Sequence, residues 1–425
     1  MADSLNARKY FASAILADGR LIICGGEYSD ASGNNTQDDT NLCEIYDPVA
    51  NSWSSLTPPA GWTQIGDGAC SLLPDGQFFL GNLNDKRTAL FDPAASAWTA
   101  KANKGDRSSE ESWALLPDNT IIVAQCQNHP ASEKYIIANN TWQNEGNIPV
   151  DLVEASSIEI GPAVLLPDGR TFVVGATSTT ALYTMPAVNT NQGTWAAGPA
   201  IPNVNKLALG SKDGPGALMV NGNVLFPAAP VDGNVNNYLS PCSFFEFDGT
   251  NIITSTDAPN SNCPTYMGRL LLLPNGEIMW AREDGSAYYA FQYEGKPSNK
   301  WRPVITACPT PITAGATIQI SGKQFNGLSQ AVGYGDDYSA ATNYPLVRIR
   351  NKASGHIRYC RTFNHTTVVS GTTVASMGVA TGGAIITTNV QIPSDLETGD
   401  SELFVVANGI PSEKFDVKVT SKGRG

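Results

Sequence analysis

The stretch Ser71–Gly81, "SLLPDGQFFLG", decides the fold. An apolar run, a Pro-Asp-Gly turn and a second apolar run are what a tight β-hairpin needs: Asp caps the turn, and Gly takes a backbone conformation closed to other residues. The phrase recurs as "AILADGRLIIC" from Ala14, "ALLPDNTIIVA" from Ala114, "VLLPDGRTFVV" from Val164, "LMVNGNVLFP" from Leu218 and "LLLPNGEIMWA" from Leu271. The turn residues Asp18, Asp75, Asp118, Asp168, Asn221 and Asn275 stand 43 to 57 positions apart, close to the length of a four-stranded propeller blade. Six copies predict six blades, with seven possible.

An aromatic strand followed by Trp comes after most copies. Tyr46 and Trp53, Phe91 and Trp98, and Tyr135 and Trp142 are each separated by 7 positions, and "LYTMPAVNTNQGTW" leads to Trp195. These Trp residues read as packing anchors at blade ends. After Trp301 the text changes to short alternating strands rich in Thr, Val and Ile, which reads as a separate β-sandwich. The expected organisation is all-β: a propeller over 1–300 and an immunoglobulin-like sandwich over 301–425.

The bulk composition agrees. With 41% hydrophobic and 16% charged residues, 40 Gly and 27 Pro in 425 residues, the chain is globular and turn-rich. A net charge of −12 repels phosphate backbones and anionic lipid, so neither nucleic acid nor a membrane surface is an expected partner. No run of about 18 apolar residues occurs, and "MADSLNARKYF" lacks the basic and apolar regions of a signal peptide. A soluble protein is expected: secreted or periplasmic if a signal has been removed, otherwise cytoplasmic. Eight cysteines without a CxxC make a zinc site of the usual spacing an unlikely expectation. Cys24 with Cys43, Cys242 with Cys263, and Cys308 with Cys360 are either local disulfides or buried thiols.

The repeat resembles the kelch motif, whose diglycine survives clearly at Gly25 and Gly26. A kelch propeller followed by "GYGDDYSAATNYPLVRI" (Gly333 to Ile349), "TFNHTTV" and "VQIPSDLETGDSELFVVANGIPS" resembles the galactose oxidase and glyoxal oxidase family of radical-copper oxidases. The resemblance implies a copper site on the propeller axis, held by an axial Tyr followed by a His, a Tyr crosslinked to a Cys, and a His from the C-terminal domain. Counting back from the turns puts the axial pair at Tyr266 and Met267, the crosslinked Tyr at Glu110 and the Cys at Asp67, with His365 as the C-terminal His. That set cannot form the crosslink, so a copper radical cofactor is not expected.

The same count gives an inner ring of Tyr10, Asp67, Glu110, Ile160 beside Glu159, Asp213, and Met267 beside Tyr266. Crowded carboxylates in low dielectric cannot all stay ionised unless a cation intervenes, which is the physics of an acid/base pair. The expectation is a non-oxidising enzyme acting by hydrolysis or elimination on a small carbohydrate-like substrate. Asp67, Glu110, Tyr266 and His365 are the candidate catalytic residues, and Tyr10, Glu159, Asp213 and His129 are candidates for binding. One alternative is a glycan- or protein-binding kelch module without catalysis. Another is a divalent-cation enzyme with Asp67, Glu110 and His365 as candidate ligands. Glu111 should point away from Glu110, because strand side chains alternate. The acidic loop Gly26 to Asn41 is expected at the propeller mouth, as a gate, a cation binder or a plain surface excursion.

Overall fold

A computed structural model describes residues 1–29, 36–232, 237–334, 341–379 and 381–421. Six sheets surround an axis. Blade one is formed by Ala12–Ile15, Leu21–Cys24, Cys43–Asp47 and Ser52–Leu56; blade two by Cys70–Leu72, Phe78–Gly81, Thr88–Asp92 and Ala97–Ala100. Blades three and four begin at Trp113–Leu115 and Ala163–Leu165, and blade five at Pro215–Leu218. Among the described residues blade six has three strands, Gly268–Leu272, Ile278–Arg282 and Tyr288–Phe291.

The recurring turns build as their chemistry requires. The Asp or Asn side chain accepts from the backbone N–H two residues on, as in Gln77 N to Asp75 Oδ1 at 3.1 Å and Arg170 N to Asp168 Oδ1 at 3.0 Å. The next residue takes positive φ: Gly76 at 83°, Gly169 at 89°, and in blade three Asn119 at 61°, since Asn tolerates that region. The seven-residue interval between aromatic and Trp is strand register. Tyr46 faces Trp53, Phe91 faces Trp98 and Tyr135 faces Trp142 across the third and fourth strands, with ring centroids 5.0 to 5.2 Å apart. The Trp indoles also tie blades together, Trp98 Nε1 donating to Thr57 O and Trp142 Nε1 to Ala102 O.

The last blade strand ends at Phe291, and Val304–Ala307 opens a further, curled sheet of ten strands. Its own apolar core includes Ile320, Phe325, Val347, Val390, Leu403 and Val405. This second body sits on the propeller face that carries the hairpin turns: Asn364 N donates to Ala17 O, Met377 N to Pro74 O, and Arg361 Nη2 to Asp18 O. One of its segments leaves the sheet and enters the propeller. Val332–Tyr334 pairs antiparallel with the inner strand of blade five, Gly216 opposite Gly333.

All eight cysteines are free thiols, with Cys24 and Cys43 opposed across neighbouring strands. Among the described residues no helix is long and apolar enough to cross a membrane.

Candidate functional site

Each inner strand runs toward its turn, so the residues ahead of the strands gather at the opposite end of the axis. There they line a cleft of about 360 Å³ together with residues from neighbouring loops: Lys9, Tyr10, Glu27, Tyr28, Asp67, Glu110, Glu159, Asp213, Tyr238, Tyr266 and Glu283. Six of the eight side chains named for the ring therefore meet, one from each blade. Blades four and six slip by one residue. Ile160 is fully buried and Met267 packs against the apolar core, so Glu159 and Tyr266 face the axis in their place.

Three axial residues sit in the left-handed region that L-residues avoid: Tyr10 at φ 54°, Glu110 at 60° and Asp213 at 47°. All three stand eight positions before their hairpin turn residue. Such backbone strain persists where surrounding structure over-determines it, and it clusters at functional sites.

Carboxylate oxygens of Glu110, Glu159 and Asp213 lie within 4.8 Å of one another. The Tyr238 hydroxyl donates to Glu159 Oε1. Burial pushes the Asp213 carboxyl well above the usual carboxylate range, and the charge and hydrogen bond of Glu159 push it further. On the other side of the cleft, burial followed by the charges of Asp67, Asp39 and Glu159 lifts Glu27 to about 8. Burial and the Glu27 charge raise Tyr28 to about 12. Tyr10 donates to Glu283 Oε2 at 3.0 Å, and burial raises its pKa, as it does for Tyr266 and Tyr238, so the phenols keep their protons at neutral pH. The rings form a chain of edge contacts, Tyr10 to Tyr266 at 6.5 Å and Tyr266 to Tyr238 at 5.1 Å.

His365 lies outside this cleft and corrects the sequence expectation. It is 1% exposed, its ring stacks on Tyr344, and Nδ1 is 2.9 Å from Thr388 Oγ1, within the curled sheet that covers the turn face. Burial lowers its pKa to about 4, which leaves a neutral core imidazole. The physical reason is topological: the segment that enters the propeller is Val332–Tyr334, and the strand carrying His365 stays in its own sheet. His129, in the loop between the second and third strands of blade three, does not line the cleft either. His356 is exposed, beside Glu397. The strand begins only at Trp113, so strand alternation does not decide the direction of Glu111; it is fully buried beside Lys104, in a different group of acids from Glu110.

Sequence reasoning missed Glu27, Tyr28, Tyr238 and Glu283. Glu27 and Tyr28 come from the acidic loop expected at the mouth, of which 30–35 lie outside the described residues. The available signal was position: Glu27 and Glu283 stand within three residues of the end of a blade's second strand.

The kelch motif family model matches residues 8–60. No curated protein matches the chain. Among solved structures, a fungal alcohol oxidase of the AA5 family, in complex with copper, is similar with a TM-score of 0.52 at 12% identity, covering 98% of each chain. The chain is thus a kelch-type propeller on the scaffold of such an oxidase. At that identity the likeness shows the fold alone. Among the described residues the donors are carboxylates and phenols, and none of the three histidines or eight cysteines lines the cleft.

Proposed function

We propose that the axial cleft is the active site of a non-oxidising enzyme that carries out acid/base chemistry on a small polyhydroxylated, carbohydrate-like molecule. The observation that carries this reading is a carboxyl group that keeps its proton in a cleft lined by further carboxyl groups. Glu27, at about 8, holds its proton at neutral pH and faces the charge of Asp67 in one cleft.

In hydrolysis, Asp67 takes a proton from water as the water oxygen bonds to the substrate carbon. The bond from that carbon to the leaving oxygen breaks, and the Glu27 proton passes to the leaving oxygen. In an elimination, Asp67 takes the proton from carbon instead, and Glu27 again protonates the departing oxygen. The neutral phenols of Tyr28, Tyr238 and Tyr266 supply donors and flat walls suited to a molecule with many hydroxyls. Glu110, which the sequence placed in acid/base work, groups with Glu159 and Asp213 and is reassigned to binding.

Turnover assayed across glycosides and uronic-acid glycosides tests this. Asp67→Asn and Glu27→Gln should each lower kcat/KM about 10²–10⁴-fold in a folded protein. Wild-type activity should fall as pH rises through about 8, where Glu27 loses its proton. Undiminished turnover in both variants would sink the assignment. Absence of turnover on the whole panel would favour a binding module.

A further inference from the structure

The cleft contains a second arrangement that proton transfer between Glu27 and Asp67 does not use. Oxygens of Glu110, Glu159 and Asp213 lie mutually within 4.8 Å, so one point lies within about 2.8 Å of all three, close to the distance at which carboxylates ligate calcium. A grouping of acids alone says little, but two further observations point to a ligand. Glu159 is 6% exposed, yet apart from the proton that the Glu159 and Asp213 carboxyls share, its buried Oε2 meets no hydrogen-bond donor among the described residues, and neither does Asp213 Oδ1. Buried acceptors are nearly always satisfied, and leaving one bare costs about 1–3 kcal/mol. The second observation is internal precedent. The only other group of three such acids among the described residues, Asp106, Glu111 and Glu133, is filled by a cation of the chain itself, the ammonium of Lys104, 3.1 Å from Glu111 Oε2.

We propose that Glu110, Glu159 and Asp213 form a site for one hard divalent cation, calcium foremost. All three ligands are oxygen, and the open side of the cleft leaves room for the waters and substrate hydroxyls that calcium's 6–8 oxygen shell requires. Tyr238, donating to Glu159 Oε1, fixes that carboxylate and leaves Oε2 without a donor from a neighbouring phenol. The left-handed backbone at Glu110 and Asp213 holds two of the three ligands at the axis. A cation bound there would present substrate hydroxyls to the acid/base pair. Its existence does not depend on that pair.

The test uses the full chain, stripped of metal with chelator, and calcium chloride alone. Calorimetry should show one calcium per chain with a Kd of about 10⁻⁶–10⁻⁴ M, and calcium should raise the melting temperature. Glu159→Gln and Asp213→Asn, each checked for a native melt, should weaken binding at least about tenfold, while Glu283→Gln in the same cleft weakens it less than about threefold. No binding at about 10 mM calcium, binding untouched by both triad variants, or binding of methylammonium in preference to calcium would each overturn the proposal. Because no substrate is involved, the result separates cleanly from the acid/base reading. Calcium binding with full turnover in Asp67→Asn would fail that reading alone, and lost turnover in Asp67→Asn without calcium binding would fail this one alone.

Discussion

Two groups of three carboxylates lie back to back in this propeller, joined by the neighbours Glu110 and Glu111. One is closed. Asp106, Glu111 and Glu133 surround the Lys104 ammonium, which also lies 4.4 Å from the centroid of the Trp142 ring, and the Lys104 side chain is fully buried. Burial alone would depress the Lys104 pKa, but Glu111, Glu133 and Asp106 outweigh it and hold the amine charged. The other group is open. Glu110, Glu159 and Asp213 converge at the cleft with a phenol beside them, the Tyr238 hydroxyl donating to Glu159. The same three-acid arrangement is a piece of architecture around Lys104, and in the open group it is the proposed cation site.

The contrast predicts effects of opposite sign. Lys104→Met removes the cation from the closed group and leaves buried carboxylates uncompensated, which should cost about 3–5 kcal/mol. Denaturant unfolding measures it, and a loss below about 1 kcal/mol would show that Lys104 does not hold the group together. The open group should respond the other way. Asp213→Asn replaces a carboxyl crowded against Glu159, whose Oδ1 is buried without a partner, with a neutral amide, and Asn accepts the φ of 47° at that position. In the absence of divalent cation it should stabilise the fold by about 1 kcal/mol. A loss of similar size would mean that Asp213 is a structural partner like Glu111.

The closed group was not legible in the sequence, although its members are close in the chain, because nothing in "NKGDRSSEES" says that Lys104 folds back under Glu111. What was legible is what repeats. The turn acids fixed six hairpins through a local hydrogen bond, and the seven-residue aromatic interval is the register of two adjacent strands. Counting back eight positions from a turn located Tyr10, Asp67, Glu110 and Asp213, all four of which line the cleft. It slipped in blades four and six, where Ile160 and Met267 went to the core. Among the described residues blade six also shows no fourth strand, and Trp301 lies in the short turn Asn299–Trp301 instead of on a strand. His365 was misplaced because the pairing that brings the tail into the propeller, Gly333 with Gly216, spans a separation that no local pattern encodes. Glu27, Tyr238 and Glu283 come from loops, which have no periodicity to count.

The smallest expected effect distinguishes the two neighbours at the junction. Glu110 has φ of 60°, a conformation costing a non-glycine residue about 1–2 kcal/mol, whereas Glu111 shows no positive φ. Glu110→Gly removes that cost at the folded state but enlarges the unfolded ensemble, so the net gain in stability should be at most about 1 kcal/mol. The same change removes one oxygen ligand from the open group and should weaken calcium binding. At Glu111 the matched substitution strips a carboxylate from around Lys104 and opens a cavity, so Glu111→Gly should only destabilise. Chemical denaturation of both variants reads the difference. If Glu110→Gly destabilises as Glu111→Gly does, the strained backbone at the axis is held by interactions of Glu110 that serve the fold. If it stabilises while calcium affinity falls, the strain is maintained for the site.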